Sequence, residues 1–316
     1  SSAASDVYKR QILVYAENQV EDYPTTKGAY EFARLVSEKT NGRIKIVVKC
    51  NGELGDEKSI IEQLKFGGID FSRVSISSIS DDIPELKVIQ MPFLYSDAQE
   101  MWDVLNGDDG KQFIDAVGKS NLGVRTLSWY DAGARSFYSV KPVTTIQDLY
   151  GLNLRVQESE LMSETVELLG ANPVKMIYSE VYKGLKTRKI DGAENSLVSY
   201  IYSKHYEQAK YCILDEHTRI PEVQLVSEYT WNKLTEEDRA VISECAKESA
   251  IYGRYIFSCH YAIHFRHRYV HNNNIILLLT AHSNRFSSIH SLIYIHFISV
   301  IPVSYTHLRA HETGAY

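Results

Sequence analysis

No apolar run in the 316-residue sequence exceeds the length of Ile275–Leu279, far short of the ~18 or more residues that a membrane-crossing helix needs. Basic charge is also in short supply. With 34 Lys and Arg against 40 Asp and Glu, the net charge is −6, which excludes the basic face of a nucleic-acid binder. The four cysteines, Cys50, Cys212, Cys245 and Cys259, are scattered and form no C-x-x-C pair. Disulfide frameworks, zinc ribbons and thioredoxin-like redox motifs are thereby excluded, and the redox compartment stays open. No two glycines stand two positions apart, so the G-x-G-x-x-G dinucleotide fingerprint is impossible; G-x-x-x-x-G-K-[ST], G-x-S-x-G and H-E-x-x-H are missing too.

What is present has an ordinary globular balance, 44% hydrophobic and 23% charged, and a length suited to one large domain or two of common size. The composition breaks near Phe257. Nine of the 11 histidines follow it, with Glu312 as the sole acidic residue and no lysine. Residues 257–316 lack helix caps and any sustained period of 3.6 or 2. Ser5–Gln11 and Val303–Thr313 resemble translated adapter sequence, and no initiator Met or signal peptide is visible. The expectation is a native portion from about Ile12 to Tyr255, with 1–11 and 257–316 non-native. His260, His264, His267 and His271 would share one helical face and could ligate a metal, but no carboxylate accompanies them, and no metal site is assigned.

Within the trusted portion, short apolar strands alternate with amphipathic helices. Strands are expected at Ile12–Ala16, Arg43–Lys49, Ile69–Ser75, Val124–Trp129, Leu152–Val156, Val174–Ile177 and Ile190–Ala193. Helices are expected at Lys27–Thr40, Asp56–Phe66, after Ser96-Asp97, at Glu160–Leu169, Glu180–Thr187 and Thr235–Tyr252. Repeated βα units predict an open, largely parallel sheet with helices on both faces. A lobe boundary is expected near 131–135 and a return near Thr218–Glu222. The acidic pairs Asp81-Asp82, Asp108-Asp109 and Glu236-Glu237-Asp238 fall in loops or first helical turns, where they serve solvation or the helix dipole.

Arginines inside strands carry more information. Arg155 lies near the carboxyl end of its strand, facing away from Leu154 and Val156, and α/β sheets place ligands at that end. Arg135 and Arg73 repeat the arrangement. A guanidinium presents parallel N–H donors to a carboxylate, so converging arginines suit a small anion; each could equally be held in an internal ion pair. Asn195 ends another strand, where its amide could contact a ligand or cap the next helix. Trp129, Tyr130, Tyr178 and Tyr200 stand beside these positions, and aromatic faces suit the C–H face of a sugar.

Gly151-Leu-Asn-Leu-Arg155-Val, Leu169-Gly-Ala-Asn-Pro173, Ser179-Glu-Val-Tyr182, Leu185-Lys-Thr187 and Asp191-Gly-Ala-Glu-Asn195, in this order, resemble the solute-binding proteins of tripartite ATP-independent periplasmic (TRAP) transporters. Gly42–Ile46, Leu54–Glu57, Gly68–Asp70, Met91–Leu94 and Trp129–Arg135 extend the resemblance over about Ile12–Tyr255. It implies a two-lobed α/β fold, periplasmic-binding-protein-like and type II-like, with a long hinge-spanning helix: lobe 1 at 12–131, lobe 2 at 132–217, and 218–256 returning to lobe 1. It also implies that Arg155 makes the principal salt bridge to an organic acid, that Arg135 and Asn195 contact it, and that Asn18 stands at the cleft. Glu17–Pro24, Arg155–Ser159 and Asp215–Arg219 resemble the sugar-acid branch, which adds Glu17, Arg73, Glu158, Glu194 and His217 as polyol or carboxylate contacts.

The expectation is an extracytoplasmic, non-catalytic protein with no cofactor, which captures a hexuronate or related acid and delivers it to membrane permease subunits. Alternatives are a C4-dicarboxylate binder, a lyase or hydrolase of acidic sugars using Glu158 or Glu194 as base, and a sensory domain binding the same ligand. The resembling family continues past the long helix into further strand and helix, which 257–316 does not match.

Overall fold

The computed structural model describes residues 10–263 and 276–278. In chain order the elements are β1 (Gln11–Ala16), α1 (Pro24–Lys39), β2 (Ile44–Lys49), α2 (Glu57–Lys65), β3 (Phe71–Ser75), α3 (Ala98–Asn106), α4 (Asp108–Lys119), β4 (Val124–Tyr130) and β5 (Ala134–Ser139). They continue with β6 (Asn153–Val156), α5 (Glu160–Leu168), β7 (Asn172–Lys175), α6 (Val181–Lys186), β8 (Gly192–Ser196), α7 (Leu197–Tyr202), β9 (Tyr211–Ile213), β10 (Thr218–Arg219), β11 (Glu222–Ser227), α8 (Glu228–Lys233), α9 (Glu236–Ile263) and β12 (Ile276–Leu278).

Local sequence explains the helix starts. Pro24 opens α1 with φ already helical and no donor to lose. The Asp56 and Asp97 side chains accept from Ser59 N and Glu100 N, caps that each contribute ~1 kcal/mol. Ile60, Ile61 and Leu64 then place one face of α2 in the core, each contributing ~1.5–3 kcal/mol by burial.

Two sheets result. One has the order β2-β1-β3-β11-β4; the other runs β12-β9-β5-β8-β6-β7, with β10 paired to β5. They are mixed, which corrects the expectation of a largely parallel sheet. β1 pairs in parallel with β2 and β3, as does β6 with β7 and β8. By contrast, β11 is antiparallel to β3 and β4, and β5 is antiparallel to β8, β9 and β10. Parallel order is imposed where a helix connects successive strands of one sheet. β5 and β11 instead arrive directly from the other sheet, so no helical crossover constrains their direction. β7 and β8 are also displaced from the expected strands, by two residues each at their starts. The α4 helix was not expected.

α9 packs along α1 and β4 and also reaches α7. Glycines on both helices leave room for this packing: a Cβ at Gly253 of α9 would stand 3.7 Å from Gly28 Cα of α1, and a Cβ at Gly28 would stand 2.8 Å from the Tyr130 ring of β4. At the α7 end, buried Phe257 clusters with Tyr23 from the start of α1 and Val198 from α7, and the Tyr23 hydroxyl lies 2.8 Å from Ser199 Oγ. Helix α9 thus touches β4 of the first sheet and α7, the helix that follows β8 of the second. The compositional break at Phe257 is no break in the helix, which continues to Ile263. Residues 1–9, most of 257–316 and the side chains of the His260, His264, His267 and His271 row lie outside the described residues.

Candidate functional site

A cleft of about 260 Å³ opens between the sheets, lined by residues from both. Pockets for drug-sized ligands span ~300–1,000 Å³, so this one suits a smaller molecule. The first sheet and its loops contribute Asn18 after β1, Glu57 at the start of α2, Arg73 in β3 and Glu222 at the start of β11. From the second come Arg135 in β5, Arg155 in β6, Asn195 in β8, and Met176–Ser179 following β7. Asn18, Arg155, Asn195 and Met176–Ser179 all stand at or just past the carboxyl ends of parallel-paired strands, where open α/β sheets hold ligands.

The three strand arginines differ in their partners. Arg73, 1% exposed, pairs with Glu17 through Nε and Nη2, donates from Nη1 to Glu222 Oε1 at 2.9 Å, and donates to Asn18 Oδ1 at 2.6 Å. Burial opposes its charge, but Glu17 and Glu222 hold its pKa well above the usual value. Arg135 clamps Glu194 through Nε and Nη2 at 2.5 and 2.8 Å and donates from Nη1 to Asn195 Oδ1 at 3.1 Å. Burial again works against the cation and Glu194 overrides it, so the pKa is raised.

Arg155 is 4% exposed, yet it makes no ion pair among the described residues; its hydrogen bond runs from Nε to the Met176 carbonyl at 2.9 Å. Burial lowers its pKa, and the neighbouring Arg135 adds to that while Glu194 opposes it. A buried guanidinium is costly unless paired. Arg155 therefore presents an uncompensated cation with its terminal donors available at the cleft wall.

Behind the lining, Glu194 is fully buried between Arg135 and His217. Burial would raise its pKa, but Arg135 and His217 pull it down to about 2. His217 bonds Asp215 Oδ2 through Nδ1 at 2.8 Å, lies 3.7 Å from Glu194 through Nε2, and stacks on Phe137 at 4.3 Å. Against the effect of burial, Asp215 and Glu194 raise its pKa to about 9. Glu17, 0% exposed, accepts from Arg73, Gln19 N and Thr25 Oγ1.

Of the nine residues singled out from sequence, Asn18, Arg73, Arg135, Arg155, Glu158 and Asn195 line the cleft. Glu17, Glu194 and His217 do not. Their side chains hold Arg73 and Arg135 from behind the lining, Glu17 on Arg73, Glu194 on Arg135 and His217 on Glu194. Asn195 is not the cap of α7. Ser196 accepts from Ser199 N in that role, whereas Asn195 Oδ1 takes Arg135 and Ser196 N.

Among the lining residues that escaped the sequence reading are Glu57, Gln157 and Glu222. Glu57 accepts from Asn18 Nδ2 and Ser75 N at 3.2 Å each, and from Ser78 Oγ. Gln157 has a buried Oε1 with no hydrogen-bond partner among the described residues. Glu222 is 8% exposed; Arg73 occupies Oε1 and Oε2 has no such partner. Glu222 and Gln224 alternate with Val223 and Leu225 in a strand buried throughout, and polar residues at period two in such a strand were the available signal. Among the described residues no His, Cys, Asp and Glu cluster could hold a metal ion, and no helix is long and apolar enough to cross a membrane.

A family model for bacterial extracellular solute-binding protein, family 7, matches residues 15–258. A solute-binding protein of Chromohalobacter salexigens is 40% identical over 229 residues, covering 72% of this chain and 68% of that protein. The C4-dicarboxylate-binding protein DctB of Bacillus subtilis is 30% identical over 239 residues, covering 75% of this chain and 68% of that one. In crystal structure, a TRAP periplasmic solute-binding protein from a Bradyrhizobium species, in complex with galacturonate, superposes with a TM-score of 0.86 at 34% identity, covering 92% of this chain and 95% of its own.

Proposed function

The chain belongs to family 7 of the bacterial extracellular solute-binding proteins, and on that premise we propose that it captures a hexuronate or related sugar acid and presents it to the membrane permease subunits of a TRAP transporter. The carrying observation is Arg155, a buried guanidinium at the cleft wall with no carboxylate partner among the described residues. A ligand carboxylate supplies that partner, and the guanidinium fork holds it bidentately. Arg135 and Asn195 stand beside Arg155 on the same wall, Arg135 already held by Glu194 and Asn195 by Arg135 and Ser196 N, so binding need not order them.

Asn18, Gln157, Glu158 and Tyr178 line the remaining surface, a mixture of acceptors, donors and an aromatic face that suits hydroxyls and the C–H face of a sugar ring. The galacturonate complex of the Bradyrhizobium protein supports this class. The Bacillus relative favours a C4-dicarboxylate instead. Against that alternative stands the acidic surface around Arg73, where Glu17, Glu57 and Glu222 surround one cation. A lyase or hydrolase would need a carboxylate poised to take a proton. Of the two bases considered, Glu158 and Glu194, the latter is held at about 2 by Arg135 and His217 and is unsuited to that work.

The site residues are accordingly read as Arg155 for the carboxylate, Arg135 and Asn195 beside it, and Asn18, Gln157 and Glu158 for hydroxyls. Lobe 1 at 12–131, lobe 2 at 132–217 and the return at 218–256 meet across this cleft, and hinge closure traps the acid. The place of action is the periplasm or the outer face of the membrane.

Thermal melts with millimolar glucuronate, galacturonate, succinate and glucose test the reading, because a ligand that binds only the folded state raises the midpoint. A rise with a uronate and none with glucose is expected. A rise with succinate alone would transfer the assignment to dicarboxylates.

A further inference from the structure

The charges on the two walls of the cleft are unequal. On the second sheet, Arg135 is matched by Glu194 and His217 by Asp215, whereas Arg155 is a buried charge with no ion-pair partner among the described residues. Glu158 on that side is half-buried, where water screens it. On the first sheet the balance has the opposite sign: Arg73 is shared by Glu17 and Glu222, and Glu57 stands 3.7 Å from it. Glu57 and Glu222 both line the cleft. One cation cannot neutralise three carboxylates, and of the three Glu222 has a buried oxygen with no hydrogen-bond partner among the described residues.

We propose that Glu222 is the specificity-determining residue of this site, admitting acids with a single carboxylate and hydroxyls elsewhere, and refusing acids with a carboxylate at both ends. The proposal rests on the sugar-acid reading and narrows it. An acid anchored on Arg155 extends toward the first sheet, where its far end meets Glu222 and Glu57. A hydroxyl there donates to a carboxylate oxygen. A second carboxylate has no proton to donate and meets like charge in a site of low water content.

The same arrangement makes the discrimination pH-dependent. Facing Glu222 are Arg73 from β3, Arg135 from β5, Glu57 from α2, Glu17 after β1, and the phenols of Tyr15, Tyr23 and Tyr130. Burial raises the Glu222 pKa; Arg73 opposes this, Glu57 and Glu17 reinforce it, and the value is about 7. The three phenols are all raised and stay protonated. His217 at about 9 and His205 at about 3 change little between pH 5.5 and 8. A protonated Glu222 repels a second carboxylate no longer and can donate to it.

Calorimetric titration of the full chain with glucuronate and with glucarate, its analogue carrying a carboxylate at each end, tests this at pH 8 and 5.5. Wild type should prefer glucuronate at least tenfold at pH 8 and less than about threefold at pH 5.5, through tighter glucarate binding. Glu222→Gln keeps an acceptor for Arg73 and should show the narrow preference at both pH values. If that variant does not fold, the wild-type pH series decides alone. Uronate binding with a preference unmoved by pH would overturn the role of Glu222 and leave the sugar-acid reading standing. A folded wild type that binds neither acid would overturn both.

Discussion

Replacing Arg155 by Met separates ligand binding from stability. Arg155 has no ionic partner among the described residues, and its Nε hydrogen bond to the Met176 carbonyl is the contact at risk. Losing it leaves a buried carbonyl unsatisfied, at ~1–3 kcal/mol. Removing an uncompensated buried charge acts in the other direction, and apolar replacements of buried ionic groups are often neutral or stabilising by ~1–4 kcal/mol. The two effects offset, so the ligand-free variant should melt within a few degrees of wild type. Arg135→Met should behave differently, because it strands Glu194, which is 0% exposed; breaking a buried pair in this way costs ~3–5 kcal/mol. With ~2–4 °C per kcal/mol for a protein fold of this order, that is a fall of about 6–20 °C. Wild type at 100 times the dissociation constant of a uronate gains ~2.7 kcal/mol, a rise of about 5–10 °C; Arg155→Met should show none. Differential scanning fluorimetry of the three proteins, with and without uronate, reads both effects. If Arg155→Met falls as far as Arg135→Met, Arg155 is a structural cation and the carboxylate-clamp argument fails.

Arg155→Lys keeps the charge and loses the fork, so uronate affinity should fall at least about tenfold, ~1.4 kcal/mol; equal affinity by calorimetry would count against bidentate capture. Gly133 has φ +76°, and a Cβ would stand 2.7 Å from the Phe257 ring, so Gly133→Ala should destabilise by ~1–3 kcal/mol from backbone strain, and an unchanged denaturation midpoint would refute the close packing of α9 against the β4–β5 connection. His217 has a raised folded pKa, so its contribution to stability is complete below about 6.5 and lost as pH rises through about 9. Glu194 has a depressed one, so its contribution is present above about 4.5 and lost as pH falls through about 2. Urea titrations across pH should show wild type losing stability between pH 7 and 9.5 more steeply than His217→Asn; equal slopes would remove His217 from that role.

The strand–helix alternation was legible because β1, α2 and β3 carry their periodicity and caps within a few residues. The α4 helix was not: Gly107, Gly110 and Gly118 punctuate it, lowering its local helix propensity, and its packing against β4 is a tertiary matter. The site shows the same limit more sharply. Arg73, Arg135 and Arg155 look alike in sequence, each a lone cation in an apolar strand. The partners that separate them are remote in the chain: Glu17 lies 56 positions from Arg73, and Glu194 lies 59 from Arg135. Pattern within a strand locates a buried arginine. Only the fold tells whether a carboxylate reaches it: Glu17 reaches Arg73 and Glu194 reaches Arg135, while among the described residues no carboxylate pairs with Arg155.

The placement of the paired and unpaired groups bears on how binding couples to closure. Arg155 belongs to β6 in the second sheet, and the unpartnered Glu222 oxygen belongs to β11 in the first. Among the described residues, the buried opposite charges nearest to them are engaged elsewhere, Glu194 with Arg135 and Arg73 with Glu17. A ligand with a carboxylate at one end and a hydroxyl at the other would meet both deficiencies at once and so touch both walls. Neutral glucose would meet the Glu222 side alone, and a simple monocarboxylate the Arg155 side alone. Each would bind one wall with little difference in energy between open and closed forms, and a ligand shifts a conformational equilibrium only by its differential affinity for the two states. On the proposed reading, the complementary ends of a sugar acid would therefore favour closure as well as the ligand.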